Sequence, residues 1–240
     1  MNLKDSVALV TGANRGLGAF LVQELLQAGA AKVYATARVP GTVAAGVAAD
    51  SRVFTLPLDI TDPASVARAA AAAPDVTVLV NNAGVLAFGT ALDGDLDAFE
   101  RDLRTNYLGT LRVTRAFVPA LERHASAAVV NVLTLIALAP VSPMAGYSAS
   151  KAAAHSVTQA LRAELRGRDI TVLGAYPGGI DTDMLAGVDA EKAAPALVAR
   201  RIIAALAAGE TVVFPDDASA SAGAVYLNDP LKLEQLLQGA

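Results

Sequence analysis

The chain has 240 residues, 54% of them hydrophobic and 18% charged, with 19 basic against 23 acidic side chains and a formal net charge of −4. That length suffices for the core of a doubly wound α/β domain, and the acidic balance argues against a nucleic-acid or anionic-membrane surface, which needs a basic patch. With no cysteine and only two histidines, His124 and His155, disulfides and thiolate centres are excluded and no metal site is expected.

In chain order, Val7 to Thr11 is a short apolar run before a glycine cluster and reads as a buried strand. Gly16 to Ala28 has helical spacing (Leu17, Phe20, Leu21, Leu25), and Gly29 stops it. Lys32 to Ala37 and Val53 to Leu58 are the second and third strands; Ala44 to Ala49, between them, is a cut-down helix or a loop. Asp62-Pro63 opens a helix with an N-cap acid and a proline in the first turn. Val76 to Val80 is the fourth strand. Asp97 to Arg123 is a long helix, capped by the acidic turn Asp93-Gly94-Asp95-Leu96-Asp97, and Val129 to Leu133 is the fifth strand. Tyr147 to Arg166 is helical, Thr171 to Tyr176 is strand six, Ala190 to Ala208 is a helix, and Val212 to Phe214 is a last short strand. Ala218 to Leu227 and Pro230 to Gln238 read as helices.

Strands thus alternate with helices from end to end, and they are apolar throughout, as strands covered on both faces must be. The expectation is a single-domain doubly wound Rossmann fold over residues 1–240. It has about seven parallel strands, helices on both faces, and residues 218–240 as a helical extension. Mean hydropathy is +0.44, yet no apolar run approaches the roughly 18–20 residues of a membrane span. The longest, Val132 to Val141, is interrupted by Thr134 and Pro140. The N-terminus lacks the pattern of a signal peptide. A cytoplasmic protein without membrane or nucleic-acid contact is expected.

After strand one comes Thr11-Gly12-Ala13-Asn14-Arg15-Gly16-Leu17-Gly18. A tight turn without side chains lets backbone N–H groups and a helix N-terminus approach a pyrophosphate. The end of strand two selects the dinucleotide. An acid there suits a cofactor without the 2′-phosphate, but this chain has Thr36-Ala37-Arg38. A guanidinium binds phosphate in a fork and is always charged, and Arg15 lies on the same side. Two arginines and no carboxylate favour NADPH/NADP+ over NADH. Tyr147 and Lys151 are four apart, on one helix face. An ammonium within about 4–6 Å lowers a phenol from its usual pKa near 10 by roughly 1–3 pH units, which suits it to proton exchange.

These features resemble the short-chain dehydrogenase/reductase family over nearly the whole sequence, Val7 to Phe214. Thr11-Gly12-x-x-x-Gly16-x-Gly18 resembles the family's cofactor turn, and Tyr147-Ser148-Ala149-Ser150-Lys151 its catalytic Y-x-x-x-K pair. Asp59 resembles the residue set near the adenine. Asn81-Asn82-Ala83-Gly84 resembles the sheet-stabilising segment, and Pro177-Gly178-x-x-x-Thr182 the segment that holds the nicotinamide carboxamide. The resemblance implies a catalytic set of Asn106, Thr134, Tyr147 and Lys151. Thr134 stands where the family normally has serine, and keeps the hydroxyl. It further implies cofactor contacts from Gly12, Asn14, Arg15, Gly16, Leu17, Gly18, Arg38, Asp59, Ile60, Asn82, Ala83, Gly84, Tyr147, Lys151, Pro177, Gly178, Ile180 and Thr182. By the same resemblance Tyr147 would be the general acid or base, Thr134 would orient the substrate oxygen, and Asn106 would link Lys151 to water.

The implied activity is NADPH-dependent reduction of a ketone or aldehyde. The alternatives are an NADP-dependent alcohol dehydrogenase working oxidatively, or a non-catalytic NADP(H)-binding sensor. Val85, Leu86, Phe88, Leu135, Ile136, Met144, Met184 and Leu185 are expected around a hydrophobic substrate. His155 is expected to pack or to meet a partner subunit, and a homodimer or homotetramer is expected through the alanine-rich tyrosine helix.

Overall fold

The computed structural model describes residues 1–238. Seven parallel strands form one sheet in the order β3-β2-β1-β4-β5-β6-β7. They are β1 (Val7–Val10), β2 (Lys32–Ala37), β3 (Val53–Pro57), β4 (Val78–Asn81), β5 (Ala127–Val132), β6 (Ile170–Ala175) and β7 (Val212–Val213). The helices are α1 (Gly16–Gln27), α2 (Ala45–Ala48), α3 (Pro63–Ala72), α4 (Leu96–Asp102), α5 (Thr110–Leu121), α6 (Ala145–Leu165), α7 (Pro195–Ala208), α8 (Asp217–Asn228) and α9 (Pro230–Gln238).

Alternation along each strand divides the core in two. Val10, Val33, Val80 and Val130 face Leu17, Leu21 and Leu25 of α1 and Val198, Ile202 and Leu206 of α7. Leu9, Leu79, Val129 and Val172 face Val66 of α3, Val113, Phe117 and Leu121 of α5, and Leu161 and Leu165 of α6. Each fully buried leucine contributes about 1.5–3 kcal/mol, so both faces of the central strands are held. The edges differ. Of β3, Phe54 is 48% exposed and the strand is only partly covered, so coverage of every strand on both faces, as expected from sequence, fails there. β7 is two residues long.

The acidic turn and the alanine-rich segment follow the sequence reading, and the long helix departs from it. Asp95 caps α4 by accepting the Asp97 N–H at 3.0 Å, so the acidic turn is a cap. The long helix is not continuous: residues Leu103–Gly109 form a π-helical turn between α4 and α5. It is seated where Gly109 meets Ile60, since a Cβ on Gly109 would lie 2.8 Å from Ile60 Cδ1. Ala44 to Ala49 contains a single helical turn. No helix among the described residues is long and apolar enough to cross a membrane, and no cluster of three metal-ligating side chains is found among them.

Candidate active-site cleft

The strand order reverses between β1 and β4, and the crevice outside the carboxyl ends of these strands is where doubly wound sheets take ligands. A cleft of about 1090 Å³ opens there, at the large end for small-molecule sites. Its glycine turn is held by Thr11, whose hydroxyl accepts the N–H groups of Asn82 and Ala83, each at 2.9 Å. The Asn82 amide donates back to the carbonyls of Thr11 and Gly12. Gly12 has φ +64°, and a Cβ on Gly18 would stand 2.2 Å from the Gly12 oxygen; only glycine fits either position. Among the described residues no side chain caps α1, so its first N–H groups are orphan donors at the cleft. That is the demand a pyrophosphate meets, and the cradle fits a dinucleotide.

All the expected cofactor contacts line this cleft: Gly12 to Gly18 apart from Ala13, then Arg38, Asp59, Ile60, Asn82 to Gly84, Tyr147, Lys151, Pro177, Gly178, Ile180 and Thr182. Asp59 accepts the Thr61 N–H and hydroxyl at 2.8 and 2.7 Å. Those bonds, then the charges of Arg38 and Arg104, hold it below the usual carboxylate range. Arg15 does not stand free; it pairs with Asp183 across the cleft rim.

Tyr147 and Lys151 line the same cleft from the first turns of α6. Lys151 Nζ donates to the Val132 carbonyl at 2.8 Å and lies 5.9 Å from the centre of the Tyr147 ring. Burial dominates both groups. It pushes Lys151 down to about 8, against the charge of Asp102, and it pushes Tyr147 up, with Asp102 adding to the effect. The sequence expectation of a phenol made acidic by its neighbour is therefore corrected for the protein alone. The amine reaches past the ring to a carbonyl, and desolvation wins.

Asn106 does not line the cleft. It sits 1% exposed in the π turn behind the wall. Its amide donates to Val85 O at 2.8 Å and to Ser150 Oγ at 2.9 Å, and its oxygen accepts the Val85 N–H at 2.9 Å. A Cβ on Gly84 would meet Asn106 Oδ1 at 3.0 Å and Lys151 Nζ at 3.7 Å, so both groups flank that residue. The Thr134 hydroxyl donates to Pro177 O at 3.4 Å, tying strand five to the Pro177-Gly178 segment. His155 Nδ1 meets the Tyr176 hydroxyl at 2.7 Å, an internal packing contact.

Of the residues expected around the substrate, Val85, Leu86, Leu135, Ile136, Met144, Met184 and Leu185 line the cleft. Phe88 does not; it is 53% exposed. Several residues were missed from sequence. Arg101, Arg104 and Thr105 reach the cleft from α4 and the π turn; the turn resets the helix face, so regular spacing could not place them. Leu237 lines the cleft because α9 folds back. Asp216, 3% exposed, accepts the Gly178 N–H at 2.9 Å. Its signal was present in Asp216-x-x-Ser219, a capping box that opens α8.

A glycine-turned cleft at the switch point of a parallel sheet, with a buried tyrosine and lysine in its wall, places the molecule in the doubly wound dinucleotide-cleft class. Comparison with known proteins carries this further: the chain belongs to the short chain dehydrogenase family, whose model matches residues 6–193, and whose members are oxidoreductases. It is 35% identical over 206 residues to 1-deoxy-11-beta-hydroxypentalenate dehydrogenase of Streptomyces exfoliatus, covering 81% of this chain and 74% of that protein. It is 31% identical to an uncharacterized oxidoreductase of Staphylococcus saprophyticus, covering 79% of this chain and 84% of that one. A short chain dehydrogenase from Burkholderia cenocepacia, solved in complex with NADP, superposes with a TM-score of 0.92 at 38% identity over 99% of both chains.

Proposed function

We propose that this chain reduces a ketone or aldehyde to an alcohol with NADPH, with Tyr147 as the general acid. The observation that carries the reading is one continuous cleft that joins Arg38 and the glycine turn at one end to Tyr147 and Lys151 at the other. When bound, the reduced nicotinamide supplies a hydride to the carbonyl carbon; the phenolic proton of Tyr147 goes to the oxygen. Carbonyl, NADPH and one proton thus balance as alcohol and NADP+.

The residues around the reacting centre have separable tasks. Arg38 offers a guanidinium fork to a 2′-phosphate. Lys151 holds positive charge beside the phenol, Thr134 presents a hydroxyl to the substrate oxygen, and Asn106 fixes the Val85 segment against α6. The apolar wall from Val85 to Leu185 excludes water from the carbonyl and accepts a hydrophobic substrate, with Met144 and Met184 as adaptable fillers. A phenol whose pKa is raised by burial stays protonated. That is the form a general acid needs.

The test is NADPH absorbance with a panel of aryl and alkyl ketones and aldehydes, run beside Tyr147→Phe. Turnover by the parent chain and a loss of about 10²–10⁴-fold in the variant are expected, with NADPH binding retained. Full turnover by Tyr147→Phe removes the assignment, and tight NADPH binding without any carbonyl turnover favours a sensor. The chain is further proposed to assemble as a homodimer or homotetramer, which light scattering decides.

A further inference from the structure

Most buried polar groups of the cleft wall are fully answered by partners, but Asp102 is not. Its side chain is enclosed, at 0% exposure. One oxygen accepts the Ala87 N–H at 3.0 Å, and the other has no hydrogen-bond partner among the described residues. Burial raises the Asp102 carboxyl above its usual range, and the Ala87 N–H and the charges of Arg101 and Lys151 work against that; a carboxylate held that far from water is costly unless a nearby charge compensates it.

Helix α4 and the π turn fix what Asp102 faces. Phe99, three residues before it, seats its ring on α6, where a Cβ on Gly146 would lie 2.1 Å from Phe99 Cδ1. Asn106, four residues after it, bonds Ser150 of the same helix. Asp102 lies between these two contacts, opposite the stretch of α6 that carries Tyr147. The charged and titratable groups that feel it are Arg101 from its own helix and Tyr147 and Lys151 from α6. The segment after β4 offers only the Ala87 backbone, and the π turn offers the neutral Asn106 amide. Lys151 is the buried cation of the group, and its hydrogen-bond acceptor is a neutral carbonyl.

We propose that Asp102 is the counter-charge of Lys151, a positioning residue that keeps Lys151 an ammonium ion within the cleft wall and, through it, sets the pH range in which Tyr147 works. Its link to turnover rests on the reductase reading; its link to Lys151 does not. Burial drives Lys151 down to about 8, and Asp102 is the charge that holds it up. The same charge opposes ionisation of Tyr147. Removing a negative charge lowers both neighbours, so both effects carry the alkaline limb of the reduction to lower pH.

The experiment compares the full chain with Asp102→Asn, which keeps the size and an acceptor for Ala87. Lysine side-chain NMR of the cofactor-free protein follows Lys151, assigned with Lys151→Met, through neutral and alkaline pH. The midpoint of Lys151 is expected to fall by roughly one pH unit, and the alkaline limb of kcat/KM for NADPH-dependent carbonyl reduction to fall with it. An unmoved Lys151 midpoint overturns the proposal whatever happens to turnover; a merely structural Asp102 would lower kcat at every pH and move neither curve. A moved midpoint in a chain that reduces no carbonyl keeps Asp102 beside Lys151 and removes the reductase reading instead. If Asp102→Asn does not fold, Asp102→Ser gives the same titration with an uncharged acceptor.

Discussion

At the scale of single residues, the two arginines of the cofactor end are unequal. Arg15 is engaged by Asp183 across the rim, a solvent-exposed pair whose own strength is small. Arg38 is exposed beside Asp59 and carries no salt bridge among the described residues. It is the guanidinium available to a 2′-phosphate without first breaking a contact. A charge-assisted hydrogen bond contributes about 1.5–3 kcal/mol, which is roughly ten- to a hundredfold in affinity. Arg38→Asp is therefore expected to weaken NADPH by at least that factor and NADH far less, read by fluorescence titration of each cofactor. Equal losses for both would place the phosphate elsewhere.

The same scale shows what sequence could convey. Gly12 and Gly18 were legible because their roles are local, a positive φ and a close approach; Thr11 and Asn82 were legible only through the family resemblance, because their bonds join β1 to the segment after β4. Tyr147 and Lys151 were legible as a pair because four residues is one helical turn. Their protonation was not. It depends on burial, on the reach of Nζ to Val132, and on a carboxylate at Asp102, none of which spacing along α6 contains.

At the scale of elements, the seating of α4 on α6 decides where the tyrosine stands. The Phe99 ring lies against three glycines: an added Cβ would meet it at 3.3 Å from Gly89, 2.2 Å from Gly94 and 2.1 Å from Gly146. Gly146 immediately precedes Tyr147, so this one contact joins α4 to the end of α6 that lines the cleft. Gly146→Ala forces the ring out or the helices apart. Overpacking of this kind costs about 1–3 kcal/mol. A lower melting temperature and a fall in kcat are expected together, checked by thermal unfolding and steady-state rates. An alanine variant with the parent's Tm and kcat would show that the ring swings aside freely. The π turn belongs to the same scale. Hydrophobic spacing read it as one long helix because apolar residues continue through it. The turn carries Gly109 against Ile60, a contact between distant parts of the chain that spacing does not contain.

At the scale of the whole molecule, the C-terminal helices close a circuit that hydrophobic spacing along residues 218–240 does not show. Asp216 ties the Gly178 N–H to the start of α8. From there the chain returns through α9, where Leu233 is 1% exposed against Leu135 and Ala139, the residues that follow Thr134. Leu237 then reaches the cleft itself. The extension thus covers the end of the cleft beside Leu135, while the glycine turn rests on β1, α1 and β2. Removing everything after Asn228 uncovers Leu135, Ala139 and Phe214 and opens one side of the apolar wall. A bulky substrate would rest on that side, and one or two methylenes in an apolar pocket change discrimination by about ten- to two-hundredfold. The truncated chain is expected to keep its NADPH affinity, to lose about tenfold or more in kcat/KM for large apolar carbonyls, and to lose least for the smallest. A size series of ketones measured on both chains decides it: a uniform loss across the series would mean that α9 supports the fold without shaping the pocket.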